Sequence, residues 1–327
     1  MKIMRFIGIV FALFSAGSPS DTSAQDSGEK YKVYMVSNSH LDTQWRWDVK
    51  ATIDDYLYNT AVQNLALLEK YPHYVFNFEG AVKYEWIKEY YPHLFERIRK
   101  FVADGRWNIS GASFEANDPN MPSSESFIRN ILLAQEFYKK EFGIKSKDMF
   151  LPDCFGFSQV MPTLGHHCGL IGFSTQKLSW RTEPLVGDSK TPFPIGLWEG
   201  VDGARIMVAL EPGRYSWNEF PEGDLSANEE LAESARKSPF GIAYRYYGNK
   251  LANGAGDHGG SALPRSIQLL EEGITNGKGP VQLVSATSSQ LYEDYMPYGN
   301  HPELPVFVGE MPLDVHAPGC YTSQAEM

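Results

Sequence analysis

The sequence predicts an α/β domain built on a parallel sheet with helical crossovers. Short apolar runs of strand character alternate with longer stretches whose apolar residues recur three and four apart. The most polar clusters follow directly on the strand-like runs, where α/β folds gather their sites. An open doubly wound sheet and a closed barrel both fit this alternation.

Taken in order, Lys32 to Ser37 reads as the first strand and Ile53 to Lys70 as an amphipathic helix. Tyr74 to Phe78 is again strand-like, and Tyr84 to Val102 helical, ending at Gly105. Ser123 or Ser124 can cap a helix whose Phe127, Ile128, Ile131, Leu132 and Phe137 fall at helical spacing, with Gly143 as its stop. Apolar strands follow at Met149-Phe150-Leu151, at Ile171-Gly172-Phe173 and from Ile206 to Leu210. The polar, proline-bearing stretch from Arg181 to Pro194 reads as a long loop, and no repeat or low-complexity tract interrupts the pattern.

The chain has 327 residues, 43% of them hydrophobic, enough for one large core or two smaller ones. A net charge of −11 argues against nucleic acid or an anionic membrane as partner, since both need a basic surface. Three cysteines, Cys154, Cys168 and Cys320, form neither a disulfide framework nor a zinc-type pair spacing. At the N-terminus, Lys2 and Arg5 precede an apolar run from Phe6 to Phe14 and a small-residue stretch, Thr22-Ser23-Ala24. That is the layout of a secretory signal peptide over residues 1–24, which predicts export to the periplasm or beyond. The run is too short to serve as a stable membrane anchor. Met327 falls inside a segment that reads as ordered, so the sequence is expected to be part of a longer protein.

Two polar clusters sit at strand ends. In His40-Leu41-Asp42, directly after the first strand, the alternating side chains offer one nitrogen and one oxygen to a metal. Pro152-Asp153-Cys154-Phe155-Gly156 places a carboxylate on a tight turn after the Met149 strand. Singly, each signal is weak: an H-x-D pair is more often a hydrogen-bonded surface pair, and an aspartate after a strand is usually a helix cap. Asp257 and His258 add titratable groups in a glycine-rich loop, where an ordinary turn would also favour aspartate. Near the end, Glu310, Asp314 and His316 precede Gly319 to Ser323, and His316 could complete a His, Asp, Asp, His metal set.

Further segments give these clusters a context. His40-Leu41-Asp42-Thr43-Gln44-Trp45, Asp153-Cys154-Phe155-Gly156 with Met161-Pro162, and Thr175-Gln176-Lys177-Leu178-Ser179-Trp180 occur in order. Trp198-Glu199-Gly200 with Asp202-Gly203, the Gly256-Asp257 loop, and His316 with Tyr321-Thr322-Ser323-Gln324-Ala325 continue it. In this order, from about residue 32 onward, the chain resembles glycoside hydrolase family 38, the α-mannosidases, especially the bacterial and cytosolic-type branch.

The resemblance implies a seven-stranded parallel β/α barrel over residues 25–327, followed in the family by helical-bundle and β-sandwich domains. It implies a divalent metal, usually zinc, held by His40, Asp42, Asp153 and His316, with Asp153 also the nucleophile of a retaining mechanism. Asp257 is the expected acid/base, with His258 tuning or replacing it. Trp45, Trp180 and Tyr321 are candidate sugar-facing aromatics, and a mannose-containing glycan the expected substrate. A metal-dependent carbohydrate deacetylase and a silent sugar-binding barrel stand as alternatives, told apart by mannose release, acetate release, or binding without either product.

Overall fold

The computed structural model describes residues 31–179, 191–248, 257–296 and 303–313. Within them lie ten strands: β1 (Tyr31–Asn38), β2 (Phe76–Glu79), β3 (Trp107–Ser110), β4 (Asp148–Phe150), β5 (Gly172–Ser174), β6 (Ile195–Glu199), β7 (Arg205–Ala209), β8 (Ile242–Gly248), β9 (Val281–Ser285) and β10 (Val306–Val308). They form two five-stranded sheets, one ordered β3-β2-β1-β8 with β9 also on β1, the other β10-β6-β7-β5-β4. Every pairing is parallel except the β6–β7 hairpin.

β1 is the centre of the first sheet. Its Val33, Tyr34, Met35 and Val36 are fully buried, as expected of a parallel strand covered on both faces. β8 pairs along one edge of β1 from Lys32 to Asn38. On the other edge β9 takes Tyr31 to Met35, and β2 takes Ser37 and Asn38.

The parallel α/β architecture is as expected, but among the described residues the pairing does not close into a continuous seven-stranded sheet. A few backbone hydrogen bonds link the two sheets outside these ladders: Ala112 N–H to Asp148 O at 2.9 Å, and, from β8 to the segment after β7, Tyr246 N–H to Pro212 O at 2.8 Å and Gly248 N–H to Trp217 O at 3.0 Å.

The helices differ from expectation in one place. The single helix expected from Tyr84 to Val102 is two, Ala81–Tyr90 and Pro92–Ala103. Pro92 lacks an N–H and keeps Tyr91 out of the helical region (φ −134°, ψ 56°), so the chain breaks there and restarts with proline at the first position. The helix before it begins at Val49, passes through a π-helical stretch, Thr52–Leu57, and ends at Lys70. The Ser124–Phe142 helix has the expected ends: Ser123 accepts from Ser126 N–H, and Gly143 is left-handed.

The helices cover β1 to β3 with one apolar layer that includes Leu65, Leu68, Tyr84, Ile98, Phe76 and Trp107. Trp107 packs edge-on to Phe76 at 4.8 Å and donates its indole N–H to Tyr84 Oη at 3.0 Å, so its polar atom is satisfied inside the core. Among the described residues, no helix is long and apolar enough to cross a membrane.

Candidate functional site

The carboxyl ends of the parallel strands meet at one rim. β1 ends two residues before His40, β2 ends at Glu79, β4 ends three before Asp153, β5 three before Lys177, and β8 precedes the loop carrying Asp257. His40, Asp153 and Asp257 each offer a ligand atom, and these atoms lie within 4.8 Å of one another. His40 Nε2 stands 3.3 Å from Asp42 Oδ1 and 3.7 Å from Asp153 Oδ2. Segments far apart in sequence thus bring one imidazole and three carboxylates together.

Local backbone explains the convergence. Asp42 N–H donates to Asp257 O at 2.8 Å, and Gly259 N–H donates to His40 O at 3.0 Å, a short antiparallel bridge centred on Leu41 and His258. The bridge alternates side chains, so Asp257 joins the cluster while the His258 ring packs 5.2 Å from Tyr56 and 6.0 Å from Trp47. Behind His40, Glu79 Oε1 lies 3.1 Å from Nδ1, and the Tyr215 ring sits 5.1 Å from the imidazole.

The charges are strongly coupled. Burial pulls the His40 pKa down, yet hydrogen bonds to Asp42 and Glu79 and the charge of Asp153 outweigh it and hold it well above the ordinary histidine value. Burial pushes the Asp153 carboxyl up, against the pull of His40 and Lys177. Lys177, buried and ion-paired with Asp153, is lowered by its own burial against that partner. Tyr215 donates its hydroxyl to Asp257 Oδ1, and burial together with the charges of Asp153 and Asp257 raises its phenol, so it stays a neutral donor. Clustered carboxylates that call for positive charge beside an imidazole suit a divalent cation.

Of the expected residues, His40, Asp42, Asp153 and Asp257 come together. His258 is beside them in sequence but turned to the aromatic pair. Trp45 is 48% exposed, edge-on to Trp47 at 6.0 Å with the Arg46 guanidinium over its ring, away from the cluster's polar contacts. Glu310 is exposed after β10. Trp180, Asp314, His316, Cys320 and Tyr321 lie outside the described residues, as do the signal-peptide residues 1–24. Glu79, Tyr215 and the ion-pairing role of Lys177 were not anticipated. Glu79 had a usable signal, a carboxylate on the last residue of an apolar strand.

The sequence pattern of the glycosyl hydrolases family 38 N-terminal domain matches residues 30–310. The chain belongs to that family. The family-38 chain is 32% identical over 303 residues to alpha-mannosidase G of Dictyostelium discoideum, covering 93% of this chain and 26% of that protein. It is 31% identical over 306 residues to alpha-mannosidase 2C1 of Homo sapiens, covering 93% of this chain and 28% of that protein. This family-38 chain therefore spans about a quarter of the length of these relatives. Among solved structures, an alpha-mannosidase from Enterococcus faecalis V583 has the same fold, with TM-score 0.65 and 23% identity over 86% of this chain and 31% of that one. A putative polysaccharide deacetylase from Mycobacterium smegmatis shares the fold at TM-score 0.51 and 12% identity, over 86% of this chain and 96% of that one.

Proposed function

We propose that this family-38 domain carries the active site of an exported, metal-dependent, retaining α-mannosidase that removes terminal α-mannose from glycans. The observation that carries the reading is the convergence of His40, Asp153 and Asp257 within 4.8 Å at the carboxyl ends of the strands. The relatives named above are alpha-mannosidases, and the signal-peptide pattern of residues 1–24 is the ground for export.

His40, Asp42 and Asp153 would hold the metal, with His316 as the further ligand the family resemblance implies. One imidazole and two carboxylates suit zinc, and that ion when bound supplies positive charge that orients sugar hydroxyls. In the proposed reaction a carboxylate oxygen of Asp153 attacks C1 of the mannoside. The C1–oxygen bond to the leaving group breaks, and Asp257 gives that oxygen its proton. Asp257 then takes a proton from water, the water oxygen attacks C1, and the ester to Asp153 breaks to release mannose. Two successive displacements at C1 retain the anomeric configuration, and the short spacing between Asp153 and Asp257 supports that course over inversion. Tyr215 holds one Asp257 oxygen, leaving the other to carry the proton. Lys177 holds Asp153 in place.

The test is hydrolysis of an aryl α-mannoside by the purified protein, with and without a chelator and then with added zinc, the first-formed anomer being read by NMR. Chelator-sensitive release of α-mannose, restored by zinc, is expected. Acetate release from an acetylated glycan without mannose release would favour the deacetylase reading, which the fold shared with the Mycobacterium smegmatis protein keeps in view. Glycan binding with neither product would make the domain a binding module.

A further inference from the structure

Glu79 and Lys83 are almost fully buried beside His40, their side chains 6% and 0% exposed. Buried charges are costly unless paired, so a cation and an anion placed here call for a reason. β2 delivers Glu79 as its last residue, and Gly80, at φ +85°, turns the chain into the Ala81–Tyr90 helix. That left-handed turn brings Lys83 back over Glu79, with Nζ 3.8 Å from Oε1. A Cβ at position 80 would stand 3.3 Å from Lys83 Cε, so glycine supplies both the turn and the room for the lysine. The ammonium makes no hydrogen bond among the described residues; besides Glu79 it faces the Phe78 ring at 5.5 Å, and its charge also acts on the carboxylate of Glu115. Of the two carboxylates, Glu79 is the one within ion-pair distance.

The same Glu79 Oε1 lies 3.1 Å from His40 Nδ1, while Nε2 is the nitrogen facing Asp42 and Asp153. A carboxylate at Nδ1 keeps the ring proton there and directs the Nε2 lone pair outward. We infer that Glu79 and Lys83 form a positioning pair: Glu79 fixes the ring angle and tautomer of His40, and Lys83 holds Glu79 as its counter-charge, so that Nε2 is presented to a divalent cation. This rests on reading His40 as a metal ligand. Neither residue touches the sugar.

The experiment measures zinc affinity at fixed pH by competition with a chromophoric chelator, for the unmodified protein and for Glu79→Gln, Glu79→Ala and Lys83→Met. Thermal melts of the metal-free forms and ¹⁵N-histidine NMR of the zinc-loaded forms accompany it. Glu79→Ala is expected to weaken zinc binding roughly 10- to 100-fold. Glu79→Gln, whose amide oxygen still accepts from Nδ1–H, is expected to lose less, and Lys83→Met to fall between. The His40 Nδ1–H signal is expected to be single in the unmodified protein and to broaden or split in Glu79→Ala. If Glu79→Ala does not fold, the near-isosteric Glu79→Gln decides, with a loss of at least threefold expected. Zinc affinities within twofold of the unmodified protein, or a lowered melting temperature with affinity unchanged, would overturn the positioning role. Failure of the unmodified protein to bind zinc would instead sink the ligand reading of His40 beneath it.

Discussion

Asp42 N–H donates to Asp257 O at 2.8 Å, so two segments far apart in sequence are locked together at the rim. The lock has a conformational cost. Asp257 sits at φ +75°, the left-handed region that aspartate and asparagine tolerate better than other side chains with a Cβ. Asp257→Asn should fold and melt like the unmodified protein but lose most turnover. Asp257→Gly and Asp257→Ala should both be inactive, with the alanine form less stable than the glycine form by about 1 kcal/mol. Thermal melts and aryl mannoside assays check this. An active Asp257→Ala would remove Asp257 from the acid/base role.

Asp153 is asked to do two things, attack C1 and hold the metal. Asp153→Asn should therefore reduce kcat by roughly 10⁴-fold or more and also weaken zinc retention. Removing its ion-pair partner by Lys177→Met should leave the nucleophile in place but less well held, a loss of roughly 10²-fold in kcat with little change in zinc content. A Lys177→Met enzyme with unchanged kcat would show that the buried pair is structural only.

The second sheet carries a pH-sensitive group away from the site. Asp148 on β4 is fully buried, accepting from Gly111 N–H and Ser146 Oγ–H at 3.2 Å each. Burial pushes its carboxyl up to about 6, against the pull of hydrogen bonds from Ser288, Gly111 and Ser146. An unfolded aspartate titrates near 4, so the folded chain holds this proton more tightly. The group accordingly favours the fold most at low pH, and that contribution is lost as pH rises from about 4 to 6. A two-unit shift corresponds to about 3 kcal/mol. Asp148→Asn keeps an accepting oxygen without the charge. It should melt about 5 °C higher than the unmodified protein at pH 7.5, with the gap shrinking towards pH 4.5. A difference independent of pH would refute the assignment.

Much of this was legible in the sequence because strands and site share one rule. Apolar runs mark buried parallel strands, and their carboxyl ends mark the rim, so His40, Asp42 and Asp153 could be singled out before any coordinates. The role of Asp257 was open at the level of residue spacing, because whether it or His258 faces the cluster depends on the Leu41–His258 bridge, a long-range pairing no local pattern encodes. The break at Pro92 was readable in principle, yet the apolar spacing on both sides continued through it and masked the stop. Closure of the barrel was not readable at all, since it depends on how β3 meets β4 and how β8 meets the segment that follows β7.

Position 172 ties the second sheet to the site through packing alone. A Cβ on Gly172 would fall 1.9 Å from Tyr292 Cδ2. Tyr292 is fully buried, and its hydroxyl donates to Phe173 O at 2.9 Å on that same strand, so it cannot swing aside without losing the bond. Tyr244 stacks on it at 6.1 Å and blocks another way out. Gly172→Ala should therefore cost at least about 2 kcal/mol, with β5 shifting and carrying Lys177 away from Asp153. Tyr292→Phe, losing one hydrogen bond, should cost only about 1 kcal/mol. Combining Gly172→Ala with Tyr292→Leu should recover part of the loss, because the smaller side chain vacates the space the methyl needs. Urea melts of the single and double variants measure the coupling, and strictly additive losses would mean that the clash with Tyr292 is not what keeps this position a glycine.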